Sequence, residues 1–438
     1  MVAGVVVPDY ASSIMALEVV EQGLCRFEPG FADVHMHPRI FDAITPDQFI
    51  DGNQGEGKAG LGVYTEAAVR SGFTTGVAML NEQVRRLTPD GAEPTELLPY
   101  AVFRRDQVLA VEAAISTQAL HPMAVNLCLD PEDTFTDAQK TQLDFEKLGQ
   151  RFADVVDDVV GLKIFGDAST GGFNVDPKFI PDIVWRWSVH NPEKPAVLHL
   201  EDENVGRVLR AIARMPRGND ARIHIAHVSS QIELEAVIEA KERGMNVTDE
   251  ATPHHLSLTG MVREELGGYG CMKPTLKKRS DIDFMWANLR YIDAFASDCA
   301  PHRTSDKRGE KPAFGVTNHS SMIPFFLGAI QQGKMTIEDL YQKSCIAPRA
   351  IYNLPEKDAS STTVQLNSPR QGAAIYESQV GPGYAPNNIF ARTGEFVLMV
   401  GKIVEVRAGM SHLNTQTGEE RLVPSYTHML RPATMRAA

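Results

Sequence analysis

The sequence predicts an α/β chain: a (β/α)8 TIM barrel with a small accessory β unit drawn from its N- and C-terminal segments. Two observations lead there. Eight short apolar runs recur along the chain: "GFADVHMH" (30–37), "TTGVAML" (74–80), "AVNLCLD" (124–130), "VVGLKIFG" (159–166), "AVLHLE" (196–201), "RIHIAHVS" (222–229), "NVTDEAT" (246–252) and "AFASDCA" (294–300). Their length and apolar content suit strands buried on both faces, and segments of helical period lie between them. Parallel strands need helical crossovers, and eight such units close a sheet. An open doubly wound sheet is the alternative that pattern alone allows.

The intervening helices can be read residue by residue. In "ENVGRVLRAIARM" the residues Val205, Val208, Leu209 and Ile212 repeat at i, i+3, i+4 and i+7, which gives one apolar stripe. In "SSQIELEAVIEAKERG", Ser229 or Ser230 offers an N-cap and Gly244 a C-terminal stop. After the eighth strand come two helical segments, "SSMIPFFLGAIQQGK" and "IEDLYQKSCIAPRAIYNL", and then a Pro/Gly/Asn-rich passage around "VGPGYAPNN". Val and Ile around Gly401 in "EFVLMVGKIVEVRAG" suggest a hairpin, and from about residue 411 no strong periodicity remains. The expected division is a barrel over 28–350, with 1–27 plus 370–438 forming the accessory unit and tail.

Composition narrows the function. With 438 residues, 43% of them hydrophobic, the chain can bury a large core. A formal charge of -13 without any basic stripe argues against nucleic acid or an anionic membrane as partner. The N-terminus lacks a basic leader and nowhere does the chain stay apolar for eighteen residues, so neither export nor membrane insertion is expected. The five cysteines are scattered and have no C-x-x-C spacing, which fits a reducing compartment, the cytoplasm.

In "ADVHMHPR", His35 and His37 stand two apart, so on a strand both imidazoles share one face. Barrel chemistry sits at the C-terminal ends of the strands, and the side chains there are His35 and His37, Lys163, His199, His227 and Asp298. Imidazoles with a carboxylate are Zn²⁺ ligands, and an open coordination position brings the pKa of bound water to about 7. Lys163 is the odd member. Beside cations it must be neutral, stand outside the cluster, or be converted by CO2 to an anionic carbamate; otherwise it snorkels to the rim or pairs with Asp167.

Taken together, "FADVHMHPR", "GLKIF", "LHLED", "IHIAHVS", "DEATPHHLSLT", "MKPTL" and "FASDCAPH" resemble the dihydroorotases of the amidohydrolase superfamily, in the form with a carboxylated lysine, over residues 28–330. The resemblance implies two Zn²⁺ ions: His35 and His37 on the first, carboxylated Lys163 bridging to the second, His199 and His227 on the second, and Asp298 on the first as catalytic acid and base. It implies reversible hydrolysis of the cyclic amide of dihydroorotate to N-carbamoyl-L-aspartate, a step of pyrimidine biosynthesis, through a metal-bridging hydroxide. It also implies a homo-oligomer and association with an aspartate transcarbamoylase.

The substrate's carboxylate calls for donors that do not bind metal. Arg39 follows His37 by two and can grip a carboxylate through its planar fork. The family pattern pairs that arginine with Asn81, places Lys273 where relatives carry asparagine or arginine, and matches His302 to the substrate histidine. In "GDASTGGFN", Thr170, with Ser169 behind it, stands where family members carry a mobile loop that closes over substrate. Cys299 after Asp298 and "FGVTNHSSM" depart from the family pattern and bear on substrate identity more than on metal binding. Two rival readings follow: a related hydrolase of hydantoins, dihydropyrimidines or allantoin, and an inactive scaffold for a partner enzyme.

Other motifs carry less. "GNQGEGKAG" (52–60) imitates phosphate loops but lacks a preceding strand and has Ala59 where a Walker loop needs Ser or Thr. His224 has the opposite parity to His227 and should point away from the metals, and Glu250 can support the site by orienting a ligand. His254 and His255 match the family without a ligand role.

Overall fold

The computed structural model describes residues 18–20, 23–37, 67–79, 123–128, 134–137, 139–155, 159–169, 174–302, 304–354, 360–366, 389–392, 400–408 and 411–421. Arg39, Asn81 and Thr170 lie outside these residues, as does the stretch 52–60. Two strands open the chain, β1 (Glu18–Val20) and β2 (Leu24–Phe27). Eight follow: β3 (Phe31–Met36), β4 (Phe73–Met79), β5 (Met123–Cys128), β6 (Gly161–Phe165), β7 (Ala196–His199), β8 (Ile223–Ile225), β9 (Val247–Ala251) and β10 (Ala294–Phe295). Each falls within two residues of an apolar run in the sequence at its start.

Neighbours in this sheet pair in chain order, β3 through β10, and every pairing is parallel. The order never reverses, whereas a doubly wound sheet turns back at a switch point. The chain four residues past β10 reaches back to β3. Met36 forms a parallel bridge to Cys299, and the His37 amide donates to the Cys299 carbonyl at 2.9 Å.

Alternation along β6 and β7 sorts the faces. Leu162, Ile164, Ala196 and Leu198 join the large apolar cluster shared with the helices, while Val197 belongs to a separate cluster with Val34, Val77 and Ala226. Lys163 and His199, of opposite parity to the helix-side residues, therefore share the other face. The helix Glu203–Ile212 buries Val205, Val208, Leu209 and Ile212, the stripe read from the sequence. Each such side chain removed from water stabilises the fold by about 1.5–3 kcal/mol. The helix Gln231–Glu242 starts after Ser230, where the buried Glu233 carboxylate accepts the amides of Ser229 and Ser230 at 2.6 and 3.2 Å. It stops before Gly244, whose φ of +80° suits a residue without a Cβ.

A second, antiparallel sheet joins the two ends of the chain in the order β1, β2, β11 (Ser361–Gln365), β12 (Lys402–Ala408), β13 (Ser411–Asn414) and β14 (Glu419–Arg421). The strand after Gly401 pairs with β11 and β13, and β13–β14 is a hairpin in a stretch whose sequence shows no periodicity. Thr362 Oγ1 donates to the Gly72 carbonyl at 2.7 Å and ties this sheet to the larger one. Among the described residues no helix is long and apolar enough to cross a membrane.

Candidate metal centre

His35 and His37 lie at the end of β3, and in each ring the Nδ1 atom faces an acceptor. His35 Nδ1 meets the Glu250 carboxylate, and His37 Nδ1 lies 3.1 Å from the Met79 carbonyl. A carbonyl or carboxylate can only accept, so both Nδ1 atoms carry hydrogen, and each Nε2 presents a lone pair whenever its ring is neutral. Those Nε2 atoms are 3.2 Å apart, and Asp298 Oδ1 lies 3.4 Å from His35 Nε2 and 3.2 Å from His37 Nε2. With both rings neutral, three electron-rich atoms converge, an arrangement that suits a bound cation. Zn–N bonds of about 2.0–2.1 Å in a tetrahedron put ligand atoms about 3.3 Å apart, which matches all three separations. Among the described residues, His35, His37 and Asp298 form the one group of histidine, cysteine or carboxylate side chains with such spacing.

Beside them stands a second pair. His199 Nδ1 and His227 Nε2 face each other at 2.9 Å, and the His35 and His227 rings are 5.1 Å apart. Burial disfavours the charged form of both His199 and His227 and lowers their pKa values, so each is the neutral imidazole that metal binding requires. Lys163 lies between the pairs, fully buried, with Nζ 3.3 Å from His35 Nε2 and 5.1 Å over the Phe165 ring. Asp167 is not its partner; that carboxylate accepts the Glu201 amide at 2.8 Å and Asn204 Nδ2 at 2.7 Å.

Around these groups the chain builds supports. Glu250 joins His35 to His224, whose Nε2 is 3.0 Å from its second oxygen, and it also accepts the His227 amide at 3.2 Å. Burial alone would raise the pKa of Glu250, but His35 and His224 hold it well below the usual carboxylate range. Asp298 behaves likewise: burial opposes ionisation, and His35 and His37 overcome it. His227 and Asp298 both have left-handed backbones, with φ of +40° and +48°. Such conformations are costly for these residues and persist where surrounding contacts impose them. Nothing in the local sequence marks either position as unusual.

The cavity over the cluster is lined by His35, His37, His199, His227, Lys273 and Asp298, with Ser169, Phe314 and Gly315 at its walls. Lys273 Nζ lies 3.4 Å from Glu201 Oε1, so a cation stands at the mouth. His302 is not among the lining side chains; its Nε2 donates to the Phe314 carbonyl at 2.7 Å and holds the wall from behind. Gly315, with φ of +133°, packs so tightly that an added Cβ would come within 2.8 Å of Ala300.

With this geometry in place, the relatives are informative. The chain is 28% identical over 358 residues to the dihydroorotase of Elusimicrobium minutum, covering 77% of this chain and 76% of that protein. This chain resembles dihydroorotases along most of its length. It is also 28% identical over 340 residues to the multifunctional protein CAD of Squalus acanthias, and spans 13% of that protein's length. No family model matches the chain. Among solved structures, the dihydropyrimidinase of Brevibacillus agri superposes with a TM-score of 0.67 at 15% identity, covering 94% of this chain and 89% of that one. The inactive dihydroorotase-like domain of the Chaetomium thermophilum CAD-like protein does so with a TM-score of 0.60 at 14% identity, covering 92% and 98%. At such identities these two matches speak to the fold alone.

Proposed function

We propose that the chain is a zinc-dependent dihydroorotase whose eight parallel strands form a closed (β/α)8 barrel. The observation that carries the reading is the convergence of His35 Nε2, His37 Nε2 and Asp298 Oδ1 at 3.2–3.4 Å, in a chain whose curated relatives include dihydroorotases. In this reading His35, His37 and Asp298 would hold one ion and His199 and His227 a second, and carboxylated Lys163 would supply them an anionic ligand. A buried lysine among imidazoles suits that modification, because the carbamate exchanges a positive charge for a negative one.

When bound, the ions supply an ionised water at neutral pH and polarise the amide carbonyl. Asp298 takes the proton as the new C–O bond forms and delivers it to the ring nitrogen as the C–N bond breaks; in reverse it serves the closure of N-carbamoyl-L-aspartate. Lys273 neutralises the substrate carboxylate from the cavity, and Arg39, Asn81, Thr170 and His302 are proposed as further substrate-binding residues, His302 by holding the Phe314 carbonyl of the cavity wall.

The barrel is assigned to 28–350; the accessory unit, expected over 1–27 plus 370–438, also takes in β11, which pairs with β2 and β12. A cytoplasmic setting and a homo-oligomer go with this reading. The matches to multifunctional proteins support a partner enzyme, for which an aspartate transcarbamoylase is the candidate.

A spectrophotometric assay following dihydroorotate tests the activity. Turnover that disappears with chelator and returns with zinc is expected. Two bound zinc ions without dihydroorotate turnover would favour a hydantoinase-type substrate, and a chain that binds no metal would favour the scaffold.

A further inference from the structure

Asp33, two residues before His35, is fully buried and accepts from two separate parts of the chain. Its Oδ1 takes the His35 amide at 3.2 Å and the Ser297 amide at 3.0 Å. Its Oδ2 takes the Ser297 hydroxyl and His319 Nε2, the latter at 2.9 Å. Ser297 and His319 are as deeply buried as Asp33. One carboxylate thus joins the strand that leads into His35 and His37 to the residue just before Asp298, in the segment that follows β10.

The residue after Asp298 is held as well. The Cys299 amide donates to Ser297 Oγ at 3.0 Å, and the Cys299 carbonyl accepts the His37 amide at 2.9 Å. Asn318 Nδ2, next to His319, donates to the Ser297 carbonyl at 2.6 Å. Asp298 sits between these two tethered neighbours with a φ of +48°. Left to itself a non-glycine residue leaves that conformation, so the contacts on either side hold it. Its carboxylate is thereby aimed at His35 Nε2 and His37 Nε2.

We propose that His319 and Asp33 are positioning residues that set Asp298 against His35 and His37, and so determine the affinity of the chain for the ion held there. The inference rests on the metal reading of this cluster. His319 lies in "FGVTNHSSM", a stretch that departs from the family pattern, and it reaches the site through Asp33 and through the side chain of Cys299, the residue after Asp298.

The experiment titrates chelator-stripped protein with Zn²⁺ against a chromophoric chelator and records the ligand-field spectrum of the Co²⁺-loaded chain, for wild type, His319→Leu, His319→Gln and Ser297→Ala. Losing a group that orients a ligand weakens metal binding about 10–100-fold. His319→Leu is expected to weaken one of the two ions by that factor, alter the Co²⁺ spectrum, and lower kcat with KM unchanged. His319→Gln, whose amide can donate from the position of Nε2, should recover most of the affinity. Ser297→Ala removes only a hydroxyl and should weaken the same ion less, which keeps the test open if His319→Leu does not fold. A folded His319→Leu chain, or Ser297→Ala chain, with wild-type affinity for both ions overturns the inference and leaves the metal reading intact. Wild-type protein that binds neither Zn²⁺ nor Co²⁺ overturns both.

Discussion

Asp298 Oδ1 lies 3.2 Å from His37 Nε2, although 261 residues separate the two in the chain. The contact joins the end of β3 to the segment that follows β10. Burial works against the Asp298 charge, and His35 and His37 hold the carboxyl well below its usual range, so it remains a proton acceptor at neutral pH. Asp298→Asn removes that capacity while keeping the shape. Its kcat for dihydroorotate should fall about 10²–10⁴-fold, the usual contribution of a positioned acid and base. A loss of less than threefold would remove Asp298 from the proton path.

Glu250 accepts from His35, His224 and the His227 amide, and fixes His35 with its Nε2 lone pair toward the cluster. In Glu250→Gln a neutral amide replaces the charge that holds His35 Nδ1–H. Zinc affinity measured by competition should drop about 10–100-fold. Unchanged affinity would show that the tautomer of His35 does not depend on Glu250.

Lys273 stands at the cavity mouth with Glu201 Oε1 3.4 Å from its Nζ. A charge-assisted hydrogen bond to a substrate carboxylate is worth about 1.5–3 kcal/mol, so Lys273→Met should raise KM for dihydroorotate about 10–100-fold. The contact is made equally in ground and transition states, which leaves kcat nearly unchanged. A variant that loses kcat at constant KM would place Lys273 in the chemistry instead.

His255 is buried, with Nδ1 2.9 Å from Thr252 Oγ1 and Nε2 donating to the Pro274 carbonyl at 3.0 Å. Burial lowers its pKa from 6.5 to about 4. The folded chain therefore holds this ring neutral where the unfolded chain would protonate it. That contribution to stability is present above pH 6.5 and is lost as pH falls toward 4. Over that window the metal-free protein should lose on the order of 3 kcal/mol through this residue. Urea unfolding at a series of pH values checks this: His255→Asn should show a shallower fall between pH 6.5 and 4 than wild type, and parallel curves would contradict it.

How much of this was legible in the sequence follows from the range of the interactions. The eight strands and the stripe of the helix Glu203–Ile212 are local periodicities, and the shared face of His35 and His37 is a matter of parity, so short windows reveal them. Asp33 looks like one more polar residue in a strand; only the fold brings Ser297 and His319 to it. The left-handed backbones of His227 and Asp298 carry no local signal, because neither glycine nor asparagine marks them. His302 is four residues past Asp298, and the sequence does not announce that its Nε2 donates to the Phe314 carbonyl. The hairpin β13–β14 is made by pairing with β12, which a stretch without periodicity cannot announce.

Anomalous diffraction from crystals of the zinc-loaded chain, collected on both sides of the zinc absorption edge, tests the central claim most directly. The account predicts two peaks, one among His35, His37 and Asp298 and one between His199 and His227, joined by density extending from Lys163. Zinc bound elsewhere on the chain, with these side chains left free of metal, would contradict it.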